Sequence, residues 1–213
     1  MNQKKTNIIL QTFIIFIIVL GIPSLIALHP IVYYSEAKKT NAENKLENAN
    51  EYYKNVHDFL VLQKTLSKDF TENETSHMKD VRGIFNAIRI LAIIFLAILI
   101  IQQVKTKKHK KRKYKELTEN IKKASLKSTI ILLAIILLSF LNFSAAFDAF
   151  HIIFFPQGNW VFPMDSLLIT LFPETFFMNI AKKIIITTII ISASITITIY
   201  AIEKYKKKLS SNN

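Results

Sequence analysis

Four long apolar runs dominate this chain. They extend from Ile8 to Leu28, Ile84 to Val104, Ile130 to Phe147 and Ile184 to Ile202. Each is long enough for a helix to cross a hydrocarbon layer of about 30 Å. The fourth is rich in Ile and Thr, which in water favours a strand. In lipid a run of that length closes its own backbone hydrogen bonds only as a helix. A soluble domain does not need four such runs, and a 51% hydrophobic chain is too apolar for a disordered one. The expected fold class is therefore mainly α and integral to the membrane, a four-helix transmembrane bundle.

The first run follows a basic stub, as a signal peptide would. It is longer than a typical signal-peptide apolar core, and no small-residue cleavage site follows it, so it reads as a retained anchor. Lys and Arg set the orientation. The N-terminal stub, the 105–127 loop and the tail after Ile202 together hold 17 basic and 3 acidic residues. The 30–83 segment holds 8 basic and 9 acidic residues. The positive-inside rule places both termini and the 105–127 loop in the cytoplasm, with 30–83 and 148–183 outside. The organisation expected is an anchor helix over 1–29, a cap over 30–83 and a second span over 84–104. A basic loop (105–127), a third span (128–147), an outer apolar hairpin (148–183) and a fourth span with its tail (184–213) follow. The Lys105–Lys115 run is read as a topology signal lying on anionic lipid, not as a nucleic-acid patch.

The outer segments carry the information about chemistry. From Ser35 to Phe59 the cap is rich in Ala, Glu, Lys, Asn and Tyr, which suggests helix. Thr71 and Glu74 have capping-box spacing, and a helix begun there runs on into the second span with His77 and Asp80 on one face. Residues 150–174 are too apolar for a solvated loop and too interrupted for a span. A re-entrant or interfacial hairpin fits both facts. Trp160 suits the headgroup level, and Pro173-Glu174 reads as a helix start.

Of five histidines, His109 belongs to the basic loop, His57 reads as a surface residue of the cap and His29 as an interface residue. His77 and His151 differ, because each lies just outside a span with an aspartate three residues away: Asp80 and Asp148. A carboxylate at that spacing can fix an imidazole tautomer and raise its pKa. Two ordinary interface histidines beside solvated acids are the plain alternative. Arg89, one or two turns inside the second span, needs a partner or serves a site, with Asp148 and Glu174 as candidates. Snorkelling to the interface is its plain alternative.

Other chemistries find little support. The chain has no Cys, no HExxH and no GxSxG, and only 3 Gly in all. Ser76 adjoins His77 but points about 100° away on a helix, so the two do not form a dyad. A zinc site would need scattered histidines and acids, and an enzyme here is expected to use general acid–base catalysis with no covalent intermediate.

Two motifs then resemble a known family. His77-Met78-Lys79-Asp80-Val81 stands ahead of a span. Phe150-His151 is followed by Phe154-Phe155, Trp160, Asp165-Ser166-Leu167-Leu168 and Leu171-Phe172-Pro173-Glu174-Thr175-Phe176-Phe177. With the four-span layout these resemble the lipoprotein intramolecular transacylase (Lit) family of Gram-positive bacteria. The resemblance implies an acyltransferase that moves the sn-2 acyl chain of a diacylglyceryl lipoprotein onto the α-amine of its N-terminal cysteine. The product is a lyso-form lipoprotein. It places the catalytic histidines at His77 and His151, at the outer leaflet of the plasma membrane. Asp80, Arg89, Asp148, Trp160, Asp165 and Glu174 are the supporting candidates. The expected partners are diacylglyceryl lipoproteins and membrane lipids, with no nucleic acid and a monomeric protein. The competing reading is a four-span sensor or accessory subunit that binds lipid or a partner and leaves lipoproteins unchanged.

Overall fold

A computed structural model describes residues 21–109 and 141–211 continuously, together with positions 14, 119, 122–123, 126–127, 130–131 and 133–134. Most of the first apolar run, much of the third and the centre of the basic loop lie outside the described residues. Among the described residues the chain is helical and contains no strand. It divides into two compact units. One comprises Met1–Pro23, Ile90–Ile135 and Ile185–Asn213, and the other Ser24–Arg89 and Ile136–Ile184.

In the first unit the helical surface is apolar and outward-facing. Ile90, Leu91, Ile93, Ile94 and Leu96 are all exposed. A continuous apolar surface of this kind is unsuited to water and suited to lipid. Among the described residues, Glu72–Ile98, which runs through both units, is the one helical stretch long and apolar enough to cross a membrane.

The second unit has its own core. Helix α1 (Pro30–Ala37) begins on a proline, whose missing N–H costs nothing at a helix start. Two 3₁₀ turns follow, Lys38–Thr40 and Ala42–Asn44, joined at Asn41 in the left-handed region. Asn tolerates that conformation better than most residues. Helix α2 (Ala49–Leu62) buries Tyr53, Val56, Phe59 and Leu60 along one stripe. Helix α3 runs from Glu72 to His109. Helix α4 (Phe143–Phe154) carries His151, and the short α5 (Leu167–Leu171) sits ahead of α6 (Glu174–Ser211). Tyr33, Tyr53, Phe59, Phe70, Met78, Leu171, Phe172 and Phe176 form one largely aromatic cluster.

Three local features differ from the sequence reading. The third apolar run does not stay helical to Phe147, because the helix breaks at Asn142, whose side chain accepts from the Ala145 N–H at 3.0 Å and caps α4. His57 is not a surface residue: it is buried, with Nε2 3.2 Å from the Leu28 carbonyl and its ring against Tyr33 and Tyr34. Pro173 precedes the first residue of α6 rather than lying inside its first turn.

The capping box at the start of α3 forms as its spacing predicts. Thr71 N–H and Thr71 Oγ1 donate to Glu74 Oε2 at 2.8 and 2.9 Å, and Glu74 N–H donates to Thr71 Oγ1 at 3.2 Å. The buried Glu74 does more than cap its own helix. Its Oε1 accepts the Leu168 N–H at 2.8 Å and so fixes the start of α5. Glu74→Ala removes the acceptor of three donors, and the buried Leu168 N–H left unpaired costs about 1–3 kcal/mol. The expected result is a clear fall in the thermal unfolding midpoint of the detergent-solubilised protein. Glu74→Gln, which keeps one carbonyl oxygen, should lose less.

Candidate active site

His77 lies in the second turn of α3 and His151 near the end of α4. The two imidazoles stack, with ring centroids 5.9 Å apart and planes 27° from parallel. Both side chains are buried. The segment 155–166, between α4 and α5, folds over them. Phe155 and Phe162 meet the His77 ring edge-on, with centroids at 4.5 and 5.5 Å. Trp160 lies 4.9 Å from the His151 ring, and Phe147 packs on it at 4.1 Å. The two rings therefore sit in a nearly apolar enclosure.

Hydrogen bonds decide which nitrogens are available. His151 Nδ1 is 2.7 Å from the Phe147 carbonyl. A carbonyl only accepts, so Nδ1 carries the proton and Nε2 keeps its lone pair. The Nδ1 of His77 is buried with no hydrogen-bond partner. Asn159 lies beside the His77 imidazole and favours its protonated form. Neutral His77 keeps a lone pair on one of its two ring nitrogens.

Burial is the chief influence on both rings. It holds His77 down to about 4, with His151 acting the same way and Asp80 and Asn159 pulling it partly back. Burial also lowers His151, against the Phe147 carbonyl and the charge of Asp148. The sequence reading expected the aspartates to raise both values. The enclosure outweighs them, because removing water penalises a charged imidazole more than a nearby, partly solvated carboxylate favours it. Both rings are neutral at pH 7.

The supporting candidates fall into three groups. Trp160 is at the site, packed on His151. Asp80 is at the site but grips the hairpin instead of an imidazole. Its Oδ2 accepts from Gln157 Nε2 at 2.7 Å and from Asn159 Nδ2 at 2.8 Å. The others stand apart. Asp148 is exposed and makes no hydrogen bond to His151, whose Nδ1 is taken by Phe147. Arg89 meets neither Asp148 nor Glu174: it donates to Asn86 Oδ1 at 3.1 Å and to the Leu60 carbonyl at 3.2 Å, tying α3 to the end of α2. Glu174 accepts from Ser144 Oγ at 2.6 Å, and Asp165 is exposed on the hairpin.

Sequence reasoning did not single out Asn159, Gln157 or the Phe147 carbonyl. A backbone carbonyl leaves no signal in a sequence. The two amides flanking Gly158 did leave one, since Gly158 adopts φ of 77°, which glycine alone takes without strain, and a turn there aims its neighbours at a common acceptor.

Comparison with known proteins gives a consistent picture. A family model described as lipoprotein intramolecular transacylase Lit matches residues 7–177. The structure of the membrane integral lipoprotein intramolecular transacylase Lit from Bacillus cereus aligns with a TM-score of 0.77 at 19% identity, covering 99% of this chain and 98% of that one. A variant of that protein with a histidine changed to arginine gives 0.72 at 21% identity, over 98% and 94%. A histidine-to-alanine variant gives 0.73 at 20% identity, over 99% and 96%. At these identities the likeness is one of fold. No curated protein sequence matches at a significant level.

Proposed function

The chain belongs to the lipoprotein intramolecular transacylase family, Lit, and from that premise we propose that His77 and His151 are its two proton acceptors. An enzyme of this family is an acyltransferase acting on lipoproteins, which sets aside the sensor reading. The observation that supports the assignment is the stacked, buried pair of imidazoles, each offering an unshared nitrogen lone pair inside an aromatic enclosure.

The chemistry asks for two acceptors. The substrate amine, with a pKa of about 8, arrives mainly as ammonium. His151 Nε2 takes one proton and frees the nitrogen lone pair. The nitrogen attacks the sn-2 ester carbonyl, forming the C–N bond and a tetrahedral centre. That nitrogen is again positively charged, and neutral His77 takes its second proton. The bond from carbon to the glycerol oxygen then breaks, and the departing oxygen recovers a proton from protonated His151. Ammonium and ester become amide and alcohol, with one proton released to water. Amine and ester belong to one substrate molecule, so the enclosure chiefly has to orient them. No outside acyl donor, metal or cofactor enters this scheme.

The site's position follows from the same reading. His77 lies seven residues ahead of Ile84, where the apolar run of α3 begins, and His151 lies beyond the third apolar run. The charge bias of the loops then puts both at the outer leaflet of a bacterial plasma membrane, in a multi-pass protein with cytoplasmic termini. A monomer suffices, because both histidines and their enclosure come from one unit of one chain.

Mass spectrometry of a tagged lipoprotein tests the function. The host should lack its own N-acylating enzyme and express this protein or an empty vector. Moving an acyl chain within one molecule conserves mass, so the fragment ions decide. The expected fragment is an N-acyl cysteine bearing a mono-acyl glycerol. A free amine with diacylglycerol, despite confirmed expression, overturns the reading.

A further inference from the structure

Resting on the assignment of His77 and His151, we propose that Asp80 is a positioning residue for acyl transfer. It grips the side-chain amides of Gln157 and Asn159 and so holds the 155–166 segment closed over both imidazoles.

The argument starts from spacing. Glu74, His77 and Asp80 follow one another at intervals of three on α3, so they share a face. That face meets the hairpin at two points. At one end buried Glu74 holds the Leu168 N–H at the start of α5. At the other, Asp80 holds two amides on one oxygen, and Asn159 reaches further to Ser76 Oγ at 3.3 Å. His77 sits midway between these anchors. The chain between them supplies what encloses the site: Trp160 on His151, and Phe162 on His77. Gly158 allows the turn that points both amides at one carboxylate.

The two anchors differ in kind. Glu74 is buried and integral to a helix cap and a helix start. Asp80 is half-buried and touches only side chains. Losing Asp80 therefore leaves the hairpin attached through Leu168 and its aromatic packing, while the end nearest His77 is released. The titratable groups near His77 are His151 across the stack and Asp80 and Glu74 on its own helix. The hairpin contributes only uncharged groups there.

The test uses purified full-length protein in lipid vesicles with a synthetic diacylglyceryl lipopeptide. Asp80→Ala, Asp80→Asn, Asn159→Ala and the Asp80→Ala/Asn159→Ala pair are compared, with Asp69→Asn as a cap carboxylate outside the site. Asp80→Ala is expected to lower kcat by on the order of 10²-fold, the scale of a misplacement of about 1 Å. Asp80→Asn keeps an acceptor oxygen and should recover much of that loss. The double variant should be no worse than the poorer single one, as for two halves of one contact. Opening the hairpin also re-wets His77. Asp80→Ala and Asn159→Ala should therefore both move the acid limb of the rate profile upward, toward the ordinary histidine value of about 6.5. Wild-type kcat in Asp80→Ala, additive losses in the pair, or a limb that moves down in Asp80→Ala alone would overturn the proposal. The last would mark a direct charge effect on His77 with no part for the hairpin. The wild-type arm separates the two readings. Without N-acyl product there, the function itself fails; with product there and in Asp80→Ala, only the role of Asp80 fails.

Discussion

His151→Ala is expected to slow acyl transfer by about 10²–10⁴-fold, the usual worth of a positioned acid–base group. The site offers no obvious replacement. Asp148, the nearest carboxylate in sequence, is exposed and not hydrogen-bonded to the ring, and besides the stacked His77 the rings against it are Phe147, Phe150, Phe155 and Trp160. The loss should fall on kcat more than on KM, because the ring acts on a proton that moves during the reaction and contributes little to holding acyl chains. His151→Gln separates shape from basicity. Glutamine can still donate to the Phe147 carbonyl, yet it has no nitrogen lone pair of comparable basicity. It should fold as the wild type does and be nearly as slow as alanine. Turnover within tenfold of wild type in either variant would remove His151 from the reaction.

The helical, membrane-integral character of the chain, and two histidines that the fold brings together, could be read from the sequence for physical reasons. Apolar runs of membrane thickness leave a chain few options, and Thr71 with Glu74 announced the start of α3 by spacing alone. His77 and His151 stood out because each lay just beyond an apolar run. Their distance from one another did not, since it depends on how a broken segment 74 residues along the chain folds back. The two aspartates were noticed on the same helical logic, and their roles came out differently. Spacing says that a carboxylate can reach a ring three residues away. It does not say whether another partner wins. At His151 the Phe147 carbonyl takes Nδ1, and at Asp80 two amides from a distant turn take the carboxylate. Arg89 shows the same limit, because the acceptor that satisfies it is the Leu60 carbonyl, a backbone group with no sequence mark. The break at Asn142 was legible in principle, as an Asn cap before an apolar helix, but the surrounding hydrophobicity masked it.

His77→Ala should likewise cost about 10²–10⁴-fold in rate, and the His77→Ala/His151→Ala double variant should be little slower than either single one. Two acceptors that handle successive protons of one nitrogen act as a unit, so removing one already stalls the sequence. The pH dependence carries an independent signature. Each ring works only when neutral. A histidine with an ordinary pKa of about 6.5 would be half protonated at that pH, and the rate would already be falling there. His77 is held down to about 4 by burial and by His151, and burial lowers His151 as well. As pH falls through 6.5 His77 stays neutral, and His151 takes up its proton later than an ordinary histidine would. The acid limb of kcat should lie below that value, bounded by the higher of the two lowered pKa values. The same shifts affect folding: between the unfolded value near 6.5 and the lower folded values, the unfolded chain binds protons that the folded chain refuses. Stability should therefore decline as pH drops across that window, and the unfolding midpoint should be measured beside the rate. A limb centred at or above 6.5 while the protein remains folded would mean that at least one ring works in open water, which a buried, stacked pair does not allow.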